Sequence, residues 1–192
     1  NCLEKVYKLY LHPFSTHDFI GRYLIANFFM KNNCKVYFVA DGADELFGGY
    51  TKYKQIKWKE YKNCSPYSIY RKDRTKNKSS LKKHLIKLWK SAFQKYKKFC
   101  GNKEASIQAS LFVDYFSQCV SVGNIGTDIM SGDNSIEART VFIQKSIIEF
   151  AINLPLKNKI DFESKQKKFV NKPLLKKLFV KFFGENSILN KQ

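Results

Sequence analysis

Residues 35–50 read Lys-Val-Tyr-Phe-Val-Ala-Asp-Gly-Ala-Asp-Glu-Leu-Phe-Gly-Gly-Tyr. Residues 36–40 are uncharged and rich in β-branched and aromatic side chains, which predicts a strand buried on both faces of a parallel sheet. Three carboxylates follow it, on Asp41, Asp44 and Glu45. Because ligands bind at the carboxyl ends of strands in open α/β sheets, this stretch predicts a functional site in an acidic loop.

The acidic loop has two interpretations. Hard oxygen donors on a tight loop suit magnesium, which proteins hold by one or two carboxylates together with substrate phosphates. The other interpretation is an acidic turn that caps a helix beginning near Asp44. Spacing alone favours this second, purely structural interpretation.

The wider motif resembles a known family. Residues 41–50 match ten positions of Gly-(Glu/Asp)-Gly-Ala-Asp-Glu-Leu-Phe-Gly-Gly-Tyr, the signature of the synthetase domain of glutamine-dependent asparagine synthetases. Ala40 departs from the usual glycine. The resemblance implies an α/β fold, a partial adenine-nucleotide α-hydrolase-like (ATP pyrophosphatase) domain with few parallel strands and a mostly helical C-terminal part.

A second segment, residues 128–155, resembles the family block Asp-Arg-x-Ser-Met-Ala-x-Ser-x-Glu-Ala-Arg-x-Pro-Phe and the helix after it. Ser135, Glu137 and Arg139 precede an apolar-periodic stretch, so we expect them on a loop entering a helix over residues 143–154. A buried Glu137–Arg139 arrangement is as good an explanation as ligand contact. The segment departs from the family at four places, which suggests a changed acceptor: Ile129, Gly132-Asp133, Val141 and Gln144.

A third segment, residues 166–179, resembles the family's Glu-Lys-(Tyr/Trp)-Ile-Leu-Arg-Lys-Ala helix, whose lysine reaches the phosphates. Lys168 is the matching position, and Lys167 lies one residue away. Periodicity alone favours a different interpretation, an amphipathic basic helix with its lysines in water and four apolar residues packed inward. These are Phe169, Leu174, Leu175 and Leu178.

In the family, the β-carboxylate of aspartate attacks the α-phosphate of ATP, and ammonia then displaces AMP. The resemblance therefore implies ATP and Mg²⁺ as cofactors, and aspartate and glutamine-derived ammonia as partners. It implies catalytic roles for Asp41, in proton transfer, and for Lys168, on the phosphates. Asp44 would bind the metal, and Asp41, Gly42, Ala43, Asp44 and Lys168 would together contact the cofactor.

The family's Ser-Gly-Gly-x-Asp-Ser segment, which holds the pyrophosphate, does not occur in these 192 residues, and neither do the glutaminase motifs. We therefore expect residues 1–192 to be a synthetase domain that is incomplete on its N-terminal side and inactive by itself. Within it we predict an α/β portion over 1–50, a basic and partly mobile connection with a helix over 51–104, and a helical portion over 105–192.

Two apolar stripes at helical spacing predict core helices. The first stripe comprises Leu81, Leu85, Leu88, Ala92 and Tyr96, and the second comprises Ile107, Leu111, Tyr115, Cys119 and Val122. A further helix is predicted over residues 16–32 from a capping box and apolar periodicity. His12 and His17 have no third ligand nearby in the sequence, so we interpret them as surface or capping residues.

The net charge of +19 supports a function of another class. Residues 51–104 carry 18 Lys and Arg against three acids, with aromatic residues between them, as in a surface that binds nucleic acid or another polyanion. No nucleic-acid motif accompanies the charge, and lysine is abundant throughout, so we do not expect nucleic acid as a partner. A non-catalytic basic protein on a synthetase-like scaffold remains the alternative of this class.

Five scattered cysteines without a Cys-x-x-Cys pair predict reduced thiols and a cytoplasmic protein. The sequence contains no run of 18 apolar residues, so we predict no membrane span. A second copy of the chain is a candidate partner.

Overall fold

The computed structural model describes residues 2–10, 18–55, 80–162 and 170–184. Its helices are α1 (Cys2–Tyr10), α2 (Asp18–Lys31), α3 (Ala43–Phe47), α4 (Ser80–Tyr96), α5 (Asn102–Asp114), α6 (Ile125–Asp133), α7 (Lys145–Asn153), α8 (Leu156–Lys159) and α9 (Pro173–Phe183). Its strands are β1 (Val36–Val39), β2 (Glu137–Thr140), β3 (Ile160–Asp161) and β4 (Val170–Asn171). The structure also has 3₁₀ helices at Thr51–Gln55 and Val141–Ile143, and a π-helix at Tyr115–Asn124.

The chain divides into two compact units, each made of two stretches of sequence. The strand unit contains Asn1–Gly42 and Phe116–Gln144. The helical unit contains Ala43–Tyr115 and Lys145–Gln192.

In the strand unit, β1 and β2 pair in parallel, with Val36 opposite Glu137 and Val39 opposite Thr140. Helices α1, α2 and α6 enclose a core of four buried side chains: Val6, Phe19, Tyr23 and Met130. A small parallel sheet in a mostly helical chain confirms the predicted fold class of a partial α/β ATP pyrophosphatase-like domain.

Burial of β1 on both faces is not observed. Tyr37 is buried and its ring stacks on that of Phe29, with centroids 5.0 Å apart. Phe38, on the opposite face, is 73% exposed. Side chains alternate across a strand, so the uncharged run is buried on the face of Tyr37 and exposed at Phe38.

The expected loop at Glu137–Arg139 is wrong, because these residues form strand β2. The amide of Glu137 donates to the carbonyl of Lys35 at 2.9 Å, which extends the ladder beside β1. Residues two apart on a strand share a face, and Arg139 Nε lies 2.9 Å from Glu137 Oε1. Both side chains are exposed, so the expected burial of this pair is also wrong.

The helical unit has its core between α4 and α5, as the first apolar stripe predicts. Buried side chains from both helices meet Tyr53, Leu156 and Ile160: they are Leu85, Trp89, Ala92, Ile107, Ala109, Leu111 and Val113. The second stripe is helical and buried from Ile107 to Cys119, but it changes from α to π geometry at Tyr115. The side chains of Leu81 and Val122 lie outside the described set.

Several predictions concern residues that the structure does not describe. They include His12, His17, the capping box before α2, and most of the basic connection, since residues 11–17 and 56–79 are not described. The described cysteines, at positions 2, 34, 100 and 119, form no disulfide with one another. Within the described ranges, none of the helices has both the length and the apolar character of a membrane span.

Candidate functional site

The carboxylate of Asp41 is held inside the strand unit by two side chains. Arg22 of α2 donates from both terminal nitrogens, at 2.7 Å to Oδ2 and 3.0 Å to Oδ1. The hydroxyl of Thr127, at the start of α6, donates to Oδ2 at 2.7 Å and accepts a hydrogen bond from Arg22. A bidentate guanidinium fixes both the position and the plane of a carboxylate, so Asp41 is held in one orientation.

The environment of this pair shifts the pKa of its neighbours. Burial lowers the pKa of Arg22, but the hydrogen bond and charge of Asp41 outweigh burial, and the net shift is upward. The pKa of Tyr37 is also raised, mainly by burial, although the charge of Arg22 opposes the shift. Arg22 therefore stays a cation beside the Asp41 carboxylate.

The π-helix packs against the turn that carries Asp41. Gly42 has φ +93°, and a Cβ there would meet Ile143 Cγ2 at 3.0 Å and Cys119 Sγ at 3.4 Å. Gly123 belongs to the same π-helix as Cys119, and a Cβ on Gly123 would come within 3.8 Å of Asp41 Cγ. The turn needs glycine at position 42 for its left-handed backbone and for this close approach.

In the helical unit, Asp44 is paired with the lysine that directly precedes α9. Lys172 Nζ lies 2.8 Å from Asp44 Oδ1, and the two side chains are 26% and 37% exposed. The pair depends on the glycines after α3. A Cβ on Gly49 would collide with the Asp44 carboxylate, and one on Gly48, which has φ +70°, would collide with Ile160.

Two further carboxylates of the helical unit, those of Glu45 and Asp114, are buried and accept hydrogen bonds from tyrosines. Tyr50 donates to Glu45 Oε1 at 2.7 Å, and Tyr53 donates to Asp114 Oδ2 at 2.7 Å. Lys52 lies 2.8 Å from the same Asp114 oxygen. Burial raises the pKa of Glu45, and burial with the charge of Asp114 raises the pKa of Tyr53. This network anchors the chain after α3 to helix α5.

Lys159 has a buried amine at the end of its side chain. It is 2% exposed, and its Nζ donates to Gln108 Oε1 at 2.6 Å. Gln108 in turn donates to the carbonyl of Leu154 at 2.9 Å. Burial lowers the pKa of Lys159 to about 7, against the opposing charge of Glu104.

The predicted site residues fall in three places. Asp41 and Gly42 belong to the strand unit, and Ala43 and Asp44 to the helical unit. Lys168 and its neighbour Lys167 lie outside the residues that the structure describes. Among the residues that it does describe, no three His, Cys, Asp or Glu side chains come together as a metal-binding group.

Four residues that contact or surround these acids are not predicted from the sequence: Arg22, Thr127, Lys159 and Lys172. One signal was available for Lys172, which stands where the third family motif has arginine. Arg22 is a charged residue in the middle of an apolar helix, which is a weaker signal. Thr127 and Lys159 carry no sequence mark of their environment, because their partners are distant in the chain.

Comparison with known proteins gives a family. The family model described as Asparagine synthase matches residues 1–191. No curated protein and no solved structure gives a significant match to the chain. The family match extends over almost all of the 192 residues and agrees with the acidic turn that follows the parallel strand β1. On these grounds the chain belongs to the asparagine synthase family of ATP-dependent amide-forming enzymes.

Proposed function

We propose that this chain takes part in converting aspartate to asparagine through a β-aspartyl adenylate, with ATP as the activating nucleotide and glutamine-derived ammonia as the nitrogen donor. The observation that carries the proposal is the turn after β1, where Asp41 is held by Arg22 and Thr127. A carboxylate is a poor electrophile toward ammonia, and adenylation gives it a leaving group.

In this proposal Asp41 moves a proton in the ammonia step. Its two oxygens accept three hydrogen bonds, two from Arg22 and one from Thr127. An ionised carboxylate offers about four lone-pair sites, so one site is left to accept a proton from the attacking ammonia. Arg22 and Thr127 hold that site in a constant direction, which proton transfer in a transition state requires.

Asp44 is the proposed ligand of magnesium, and Lys168 the proposed cation on the phosphates. The carboxylate of Asp44 is partly exposed and already accepts a cation, the ammonium of Lys172, so its chemistry and access suit a divalent ion. When bound, magnesium neutralises charge on the reacting phosphates. The backbone at Gly42 and Ala43 is proposed to lie against the nucleotide.

Two substitutions separate these roles in the enzyme that carries this chain. We expect Asp41→Asn to lower asparagine formation about a hundredfold while ATP–pyrophosphate exchange is largely retained, because Asp41 acts after adenylation. We expect Asp44→Asn to lower both. Glu149→Gln, an exposed acid on α7, is the control and leaves both unchanged. Equal loss of both reactions in Asp41→Asn would contradict the assigned role.

The 192 residues by themselves are proposed to be inactive in ATP–pyrophosphate exchange, since the Ser-Gly-Gly-x-Asp-Ser segment must be supplied from outside them. Measurable exchange by the purified 192-residue chain would overturn this part of the proposal. Location in the cytoplasm and pairing with a second copy stay predictions.

A second acceptor, a carboxylate on a cell-surface sugar, is favoured by one observation. Ile129 stands where the family has arginine, and it packs against the core of α1, α2 and α6. A cation of the family is thus replaced by an apolar side chain. Comparing aspartate with sugar acids as substrates for amide formation distinguishes the two acceptors. The alternative of a basic binding protein depends on residues 51–104, many of which are not described.

A further inference from the structure

Lys172 is held on Asp44 by the fold and not by chance contact at the surface. Its amide donates to the carbonyl of Lys159 at 3.0 Å, and its backbone has φ +50°, directly before the proline that begins α9. On the other side, the amide of Gly49 donates to the Asp44 carbonyl at 2.8 Å. The side chain of Asn171 donates to the Gly49 carbonyl at 2.7 Å, which links the segment of Lys172 to the segment of Asp44.

The pair occupies one oxygen of a partly exposed carboxylate. Gly49 lies so close that a Cβ would collide with Asp44 Oδ1 and approach Lys172 Cε to 2.7 Å. Within the described part of the chain, Asp44 is the only carboxylate at ion-pair distance from Lys172. The ammonium therefore neutralises the Asp44 carboxylate at Oδ1.

We propose that Lys172 and a divalent cation compete for Asp44. In the cation-free protein, Lys172 neutralises and orients the carboxylate, and it leaves Oδ1 when the cation binds. The inference depends on the proposed function to the extent that Asp44 is the magnesium ligand. Two cations on one oxygen repel each other strongly at partly buried positions, so Lys172 weakens cation binding when no nucleotide is present.

The test measures Mn²⁺ binding to the full chain without nucleotide, by electron paramagnetic resonance. We expect Lys172→Gln to bind Mn²⁺ about tenfold more tightly than the unaltered chain. Lys176→Gln removes an equal charge one turn further along α9, where Lys176 contacts Asn171 and not Asp44, and we expect no change. Adding Asp44→Asn to Lys172→Gln should abolish the gain. Equal affinities in the unaltered chain and Lys172→Gln would overturn the inference.

A measurement on the unaltered chain does not depend on how the variant folds. Lys172 is labelled with a small amine-reactive reagent, and the rate is followed by peptide mass spectrometry with and without Mg²⁺. We expect saturating Mg²⁺ to raise the labelling rate of Lys172 severalfold and to leave that of Lys176 unchanged. An unchanged labelling rate at Lys172 would contradict the displacement of Lys172 by the cation.

These outcomes are separable from those of the proposed function. Replacement of Lys172 by a divalent cation at Asp44, together with full asparagine formation by Asp44→Asn, would mean that the competition is real and the proposed function is wrong. Loss of asparagine formation in Asp44→Asn, with no gain of Mn²⁺ affinity in Lys172→Gln, would overturn only the competition between Lys172 and the cation.

Discussion

The guanidinium of Arg22 contacts both oxygens of Asp41, at 2.7 and 3.0 Å, across 19 residues of sequence. Neither side chain is fully exposed: Arg22 retains 24% and Asp41 17% of its exposure. A partly buried carboxylate that loses its cation keeps the cost of burial without the compensating charge. Arg22 is therefore a positioning residue whose removal affects both stability and the direction of the Asp41 carboxylate.

We expect Arg22→Met to lower the free energy of unfolding by about 2 kcal/mol, since Thr127 alone remains to satisfy Asp41. Urea denaturation measures the change. Arg22→Lys should recover part of the stability but not the bidentate contact, and it should lower asparagine formation more than adenylation. Arg139→Met, which breaks the exposed pair with Glu137, is the control, and its stability should equal that of the unaltered chain.

Gly42 combines a left-handed backbone with close packing against Ile143 and Cys119. We expect Gly42→Ala to destabilise the chain by about 1–3 kcal/mol, because the positive φ and the crowded Cβ position both oppose a side chain. The matched control is Gly132→Ala in α6, where a Cβ meets no atom within 4 Å. Removing a glycine from a helix should there stabilise the chain by roughly 0.5–1 kcal/mol. Thermal unfolding of both variants compares them, and equal effects would contradict the assignment.

Lys159 should make stability depend on pH. Its pKa is lowered from 10.5 to about 7 in the folded chain, so between these values the unfolded chain binds the proton and the folded chain does not. The free energy of unfolding therefore rises with pH across this window, by a total on the order of a few kcal/mol. Below about pH 7 both states are protonated, and the folded state carries the full cost of the buried charge.

Lys159→Met should remove this rise. Urea denaturation at about pH 7 and about pH 9.5 measures it, within the window in which the two states differ in protonation. Lys157→Met, an exposed lysine on the same short helix, should keep the pH dependence of the unaltered chain. A rise of the same size in Lys159→Met would assign the effect to another group.

Tyr53 is 1% exposed and donates its hydroxyl hydrogen to Asp114. We expect Tyr53→Phe to lower the free energy of unfolding by about 1–3 kcal/mol, because a buried carboxylate loses one of its donors and keeps Lys52. Tyr7→Phe, at a tyrosine that is 58% exposed, should change it by less than about 0.5 kcal/mol. Chemical denaturation of the two variants supplies the comparison.

Local pattern predicted much of the fold. An uncharged run followed by acids and glycine predicts a strand, a turn and a short helix, and the structure has β1, the turn at Asp41-Gly42 and α3. The apolar stripe of α4 predicts its buried face, because helical periodicity is a property of neighbouring residues. By contrast, residues 137–140 lack a strand pattern, and they form β2 because they pair with β1.

The sequence by itself determined the family, the acidic turn after β1 and the helices whose apolar residues recur at helical spacing, since each depends on residues close together in the chain. Only the tertiary structure decided what those acids contact. Asp41 meets Thr127 across 86 residues, and Asp44 meets Lys172, which belongs to the second sequence stretch of the helical unit. Burial likewise made Lys159 different from the many lysines around it in the sequence. Such contacts and burial arise from packing between distant segments, which no local spacing records.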